Sequence, residues 1–281
     1  MNLHPLPSLL IEPVVRAALA EDLGRAGDVT AALLPAEARM ACVFAARRDG
    51  RVAGLECARL ALFLLDPTAR FEVEVADGAD AAPGAVLARI EGNARAILSA
   101  ERTALNLLGR LSGVATLTRA YVRAVEGTGA RITDTRKTTP GLRALEKYAV
   151  RCGGAVNHRF GLDDAILIKD NHVAACGGVA AALRRAREVA GHLTPIEVEV
   201  DSLAQLDEAL PFAPQVIMLD NFSLEDLRRA VAVVGGKVTL EASGGVSLET
   251  VRAIAETGVN VISVGALTHS APVLDIGLDA I

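Results

Sequence analysis

Residues 165–172 read Ala165-Ile166-Leu167-Ile168-Lys169-Asp170-Asn171-His172, four apolar positions running straight into four polar ones. A short apolar run without alternation suits a strand buried on both faces, as in a parallel sheet. The figure recurs along the second half of the chain. Ala130–Thr133 runs into Asp134-Thr135-Arg136-Lys137, Ile196–Val198 into Glu199, and Val216–Leu219 into Asp220-Asn221. Val238–Leu240 leads to Glu241 and Ser243-Gly244-Gly245, and Val259–Val264 to Gly265-Ala266. Helical segments at 173–190, 223–234 and 248–257 fill the intervals. Strand–helix alternation with right-handed crossovers predicts a parallel α/β sheet. Periodicity alone leaves a closed barrel and an open doubly wound sheet both standing. Polar side chains at nearly every strand's carboxyl end favour the barrel, since an open sheet gathers its chemistry at one switch point.

Upstream the rhythm changes. Residues 12–20 and 57–65 read as helices, and Phe71–Val75 alternates like a half-exposed strand. Asp49-Gly50 sits between Ala41–Ala46 and Arg51–Gly54 and predicts a tight hairpin. A further strand is expected at 85–90 and a long helix over 94–126. The order predicts an N-terminal α+β domain over residues 1–105 and an α/β barrel domain over 106–271.

Composition narrows the chemistry. With 51% hydrophobic residues but only 3% aromatic and no Trp, the core must be Ala, Leu and Val, and the composition argues against base-stacking platforms. A net charge of −5 argues against nucleic-acid and membrane surfaces as partners, so any bound anion must be held by local cations. The four cysteines, Cys42, Cys57, Cys152 and Cys176, form no Cys-x-x-Cys pair and read as free thiols of a reducing compartment. No apolar run approaches membrane-spanning length. A cytoplasmic protein is expected.

The strand ends carry cations. Arg136 and Lys137 follow one strand, Lys169 another, His158 and Arg159 lie between them, and Arg102 opens a helix-like stretch. Singly, each would be an ordinary solvated surface charge. Gathered at one barrel opening, they repel and lose hydration unless an anion joins them. The planar fork of Arg matches carboxylate and phosphate, so a multiply charged substrate is expected. Thr139-Pro140 offers a helix start whose free N–H groups would aim at the same opening, or a purely structural cap. Glu199 and Asp220 are placed to hold Mg²⁺ on a pyrophosphate, or else to pair with Lys169 or Arg159. Asp163-Asp164 precedes its strand and reads as structural. The glycine loops Ser243-Gly244-Gly245 and Gly265-Ala266 end the last strands, where barrels commonly seat phosphate.

Longer motifs complete the picture. Glu-Arg-Thr-Ala-Leu-Asn from Glu101, Ser-Gly-Val-Ala-Thr from Ser112, and Thr-Arg-Lys-Thr-Thr-Pro-Gly-Leu-Arg from Thr135 occur in order. Glu-Lys-Tyr-Ala-Val from Glu146, Asn-His-Arg from Asn157, Ile-Lys-Asp-Asn-His from Ile168 and Val-Gly-Ala-Leu-Thr-His-Ser from Val264 follow. Together they resemble the quinolinate phosphoribosyltransferase family. The resemblance implies an incomplete parallel α/β barrel behind an open-sandwich α+β domain, with the tail 272–281 packing back on the latter. It implies decarboxylating transfer of a phosphoribosyl group from phosphoribosyl pyrophosphate to quinolinate, giving nicotinate mononucleotide, pyrophosphate and CO₂ in NAD biosynthesis. A homodimer is also implied, its sites shared and Arg102 reaching the partner's barrel. By the resemblance, Thr135, Arg136, Lys137, His158, Arg159 and Lys169 surround the substrate, and Lys137, Lys169, Glu199 and Asp220 carry the catalysis. Glu199 and Asp220 face ribose and Mg²⁺, while Ser243, Gly244, Gly245, Val264, Gly265 and Ala266 hold phosphate.

Two other readings compete. Lys169 at a strand end would suit a Schiff-base aldolase, and a non-catalytic relative of the same fold would bind an anion without the transfer.

Overall fold

In the computed structural model, which describes residues 3–281, the chain forms two units. The first comprises Met1–Arg119, Thr138–Gly154 and Ala266–Ile281, and the second Ala120–Lys137 and Ala155–Gly265.

The first unit starts with helix α1 (Ser8–Leu23), whose buried Ile11, Val15 and Leu19 recur every fourth residue and pack on helix α2 (Leu55–Phe63). Between them lie β1 (Arg39–Ala46) and β2 (Gly50–Arg51); β3 (Arg70–Val73), β4 (Asp80–Ala81) and β5 (Val86–Asn93) follow. The hairpin expected at Asp49-Gly50 does not form: β2 pairs with β4, and β1 pairs antiparallel with β5. A two-residue β2 offers β1 far less ladder than β5, whose register covers Arg39 to Ala45.

Helix α3 (Ala94–Ala124) then runs for 31 residues. Residue 105, where the sequence was expected to change domain, lies inside it, because nothing in its pattern interrupts the helical period.

Next come β6 (Arg131–Thr133) and α4 (Arg143–Cys152). The helix start expected at Thr139-Pro140 is absent, since α4 is capped at Leu142. Thr139 instead donates its amide and hydroxyl to the Glu146 carboxylate, at 2.9 and 2.7 Å. Glu146 is fully buried and also receives Arg110, at 2.8 Å from Nη2. A buried carboxylate must find donors, and this one takes those that a cap would have left free.

The remaining elements alternate. They are β7 (Ile166–Ile168), α5 (Asp170–Cys176), α6 (Val179–Val189), β8 (Ile196–Val200), α7 (Leu203–Ala209), β9 (Val216–Asp220) and α8 (Leu224–Val234). After these come β10 (Thr239–Ser243), α9 (Val251–Ala255), β11 (Val261–Ser263), α10 (Ala266–His269) and β12 (Ile276–Ala280). The helix expected at 173–190 is two helices, broken at Gly177-Gly178, where φ values of +83° and +125° are open only to glycine without strain.

Six parallel strands in the order β6-β11-β10-β9-β8-β7 form the second unit's sheet. Val156 adds a parallel bridge to Thr133 beside β6. Along β8, Ile196, Val198 and Val200 share one buried face, while Glu197 and Glu199 alternate onto the other. That second face is the interior of the curled sheet, and it is polar.

The chain's end returns to the first unit. β12 pairs antiparallel with β1, from Cys42↔Ala280 to Ala46↔Ile276, so β1 is central in the order β12-β1-β5-β3. The approach to β12 lies against α3, where Leu274 N donates to Gly109 O at 3.0 Å. A Cβ on Gly113 would stand 1.9 Å from the Pro272 carbonyl oxygen. Gly113→Ala is therefore expected to destabilise the chain by about 1–3 kcal/mol through overpacking. Thermal melts decide it: a parent-like Tm would mean that the tail is not seated in this groove.

Candidate active site

The second unit's site is built at the carboxyl ends of its strands. Arg136 follows β6 by a short turn in which Lys137 N donates to Thr135 Oγ1 at 3.0 Å. Arg159 lies in the irregular segment between Val156 and β7, with Nη1 donating to Ala165 O at 3.0 Å. The Nε atoms of Arg136 and Arg159 are both buried without a hydrogen-bond partner among the described residues. Burial lowers the proton affinity of Arg159 and the charge of nearby Arg136 lowers it further, while Glu197 and Asp164 oppose both. Two adjacent arginines with unmet donors are a seat for an anion.

Lys169 caps α5 directly after β7, and its Nζ lies 3.9 Å from Glu199 Oε2. Burial raises the Glu199 pKa and the charge of Asp220 adds to it, against the pull of Lys169. Glu199 and Asp220 are thus electrostatic neighbours at the ends of β8 and β9. Asn221 follows in the left-handed region, at φ +55°, and its Nδ2 donates to Asp220 Oδ2 at 2.7 Å. A Cβ on Gly244, at φ +94°, would stand 2.1 Å from Asn221 Oδ1, so only glycine admits this close approach of the Ser243-Gly244-Gly245 loop. Val264 N donates to Thr133 O at 3.0 Å, which ties the Gly265 end of β11 to β6.

His158 reaches furthest inward. Its Nε2 lies 3.1 Å from Glu197 Oε2 on β8 and 3.5 Å from Glu241 Oε1 on β10. Strands β8 and β10 are separated by β9, and His158 comes from beside β6 at the sheet's other end. Only a sheet curled toward a barrel lets one imidazole meet both carboxylates.

Glu197 and Glu241 are buried and His158 is half-buried, and one donor atom of each lies within 4.8 Å of the others. Burial alone would lower the His158 pKa, but the two carboxylates outweigh it and push it up to about 10. The Glu197 carboxyl is also raised, chiefly by burial. The Arg159 amide donates to His158 Nδ1 at 2.8 Å, the arrangement of a ring protonated on Nε2. Hydrogen bond and raised affinity agree if the extra proton belongs to the three groups jointly.

Neither Glu197 nor Glu241 stands out as a binding residue in the sequence. The signal was there, since Ile196-Glu197-Val198-Glu199-Val200 alternates where a strand buried on both faces should be uniformly apolar. Buried Asp134 was likewise unassigned. It accepts from Asn157 Nδ2 at 2.6 Å and from His158 N at 2.9 Å, which fixes the irregular segment. Asp164 accepts from Phe160 N and Gly161 N, a structural role in the loop before β7. Arg102, exposed on α3, and Ala266, at the start of α10, belong to the first unit.

Two family models match the chain, and they meet inside α3. The model of the quinolinate phosphoribosyl transferase N-terminal domain matches residues 28–112, and that of the C-terminal domain matches 114–279. This chain belongs to the quinolinate phosphoribosyltransferase family. It is 50% identical over 271 residues to the nicotinate-nucleotide pyrophosphorylase [carboxylating] of Mycobacterium leprae, covering 94% of this chain and 95% of that one. Against the probable nicotinate-nucleotide pyrophosphorylase [carboxylating] of Bacillus subtilis the identity is 46%, covering 92% and 89%. The solved nicotinate-nucleotide pyrophosphorylase of Francisella tularensis superposes with a TM-score of 0.95 at 38% identity, covering 100% of this chain and 99% of that one. Mixed α/β architecture, an antiparallel first sheet and a parallel six-stranded second sheet are thus those of solved family members.

The raised His158 affinity fixes a pH dependence. Its contribution to stability is complete below the ordinary value of 6.5 and is lost as pH rises toward about 10. Melting curves across that window should fall more steeply for the parent than for His158→Gln. Equal slopes would show that the carboxylates do not hold the proton.

Proposed function

We infer that this chain catalyses the decarboxylating transfer of a phosphoribosyl group from phosphoribosyl pyrophosphate to quinolinate. The observation that carries the reading is the pairing of Arg136 and Arg159, two neighbouring guanidinium groups with buried, unmet Nε donors in the curled sheet's mouth. A pyridine bearing two adjacent carboxylates supplies the charge and the flat acceptors they need.

The chemistry then asks for positioning and charge more than for proton transfer. The ring nitrogen's lone pair attacks the sugar carbon as pyrophosphate leaves, with positive charge growing on the ribose and negative charge on the leaving group. In this reading Glu199 and Asp220 stabilise the former, and Lys137 and Lys169 the latter. The new cationic nitrogen then draws the electron pair of the adjacent carbon–carboxylate bond into the ring. CO₂ departs, and the carbon takes a proton to give nicotinate mononucleotide. Holding both substrates in line is the larger part of the work.

Mg²⁺ fits this site by the chemistry of its donors. Glu199 and Asp220 are oxygen donors, the Glu199 carboxyl is raised by burial and further by Asp220, and a hard dication relieves such a pair. When bound, it would neutralise the leaving pyrophosphate. The His158 group fits Mg²⁺ poorly, because it includes a nitrogen already engaged by carboxylates.

The reading extends to a homodimer in which Arg102, exposed on α3, completes the partner's site, and to the cytoplasm, which suits cysteines that are all free. No helix among the described residues is long and apolar enough to cross a membrane.

Incubation with quinolinate and phosphoribosyl pyrophosphate should yield nicotinate mononucleotide only when Mg²⁺ is present, and chelation should abolish it. Absence of product with both substrates and Mg²⁺ would leave an anion-binding protein of the same fold. Arg136→Ala should lose about 2–5 kcal/mol of transition-state stabilisation, as for truncating one partner of a buried charge pair. Mixing inactive Arg102→Ala with inactive Arg136→Ala should restore about a quarter of parent activity if sites are shared across a two-fold dimer. No recovery after subunit exchange would refute the sharing.

A further inference from the structure

The acidic side chains beneath the arginines have no place in the chemistry above. Glu197 and Glu241 are 7% and 4% exposed, Glu197 keeps an Oε1 atom buried without a hydrogen-bond partner, and the Glu241 Oε1 faces only the His158 ring at 3.5 Å. Two such carboxylates on one polar face would be costly if they served nothing. Both are aimed at one imidazole, that of His158.

His158 in turn belongs to a segment that needs outside support. Residues 157–159 lie in neither helix nor strand, so side-chain bonds must set their conformation. Three contacts do so. His158 N and Asn157 Nδ2 donate to Asp134, the His158 ring meets the two glutamates, and its Nδ1 accepts the Arg159 amide. The last contact matters most, because it couples the ring's orientation directly to the backbone of an anion-binding arginine. Both ring nitrogens are engaged by protein groups, which fixes the orientation of His158 from both sides.

Charge points the same way. Arg136 and Arg159 repel one another in a partly dry site, and the Glu197 charge opposes that repulsion at Arg159. A fixed negative floor lets the two guanidinium groups stay together before substrate arrives, so that less reorganisation is needed on binding.

We propose that Glu241 and Glu197 are positioning residues for the dicarboxylate pocket, acting through His158 to fix Arg159 and its neighbour Arg136. This deepens the function inferred above and rests on it for the identity of the ligand.

The test is Glu241→Gln, which removes the charge and keeps the shape. Its quinolinate KM should rise about tenfold, while kcat and the KM for phosphoribosyl pyrophosphate stay near the parent's. A purely structural role would move both KM values together, and that outcome, or an unchanged quinolinate KM, overturns the proposal. Combining Glu241→Gln with Arg159→Lys should give a loss smaller than the sum of the single losses, because the two changes disable one device. Strict additivity counts against it. If Glu241→Gln does not fold, Glu197→Gln is judged by the same ratio of KM values.

Quinolinate binding measured by calorimetry on the intact protein without the second substrate separates this proposal from the assigned activity. Weakened binding in the variant supports the floor even if no product forms in the parent. A parent that fails to bind quinolinate sinks both. A metal ion found at one per chain in the parent and lost in Glu241→Gln would reassign the three residues as a metal site and overturn the positioning role.

Discussion

Everything in the second unit's site follows from placing cations side by side where water is scarce. Arg136 and Arg159 cannot be left alone together without a penalty for their mutual repulsion. The fold answers with charge of the opposite sign beneath them. It can do so because residues on a strand alternate faces, so a β8 with apolar residues toward the helices can still present Glu197 and Glu199 inward. Curling the sheet then brings Glu241 from β10 and His158 from beside β6 to the same point.

Regular structure supplies the lysines and carboxylates at strand ends, but Arg159 stands on irregular backbone. Its rigidity comes from buried side chains on three sides: Asp134 below β6's end, and Glu197 and Glu241 within the sheet. A loop residue can have the accuracy of a strand residue when its neighbours' hydrogen bonds leave it no alternative. The Asn221–Gly244 contact does the same for Asp220: a left-handed Asn holds the carboxylate, and a glycine makes room for that Asn.

Much of this was legible beforehand. Apolar runs such as Ala165–Ile168 announced buried parallel strands, because that signal is local. The six strands of the sheet fall where those runs predict. What the sequence concealed depends on distant partners. Asp49-Gly50 has hairpin chemistry, yet β1 has better partners elsewhere. Thr139-Pro140 has cap chemistry, yet buried Glu146 takes its donors. Glu197 and Glu241 are 44 positions apart by number and share no motif; only the curvature of the sheet makes them neighbours. Period-two alternation inside a strand assumed to be uniformly apolar was the one available clue.

The pairing of β12 with β1 has a consequence for how the chain is made. Arg47 meets Asp279, 232 residues later, and β1 is the middle strand of its sheet only once β12 has arrived. Domains usually fold in the order in which the ribosome releases them. Here β1 must wait for β12, with one side uncovered while the intervening parallel sheet is being synthesised. Exposed strand edges invite pairing with other chains, so nascent chains of this protein are most vulnerable to chaperone capture or to one another until β12 has been made.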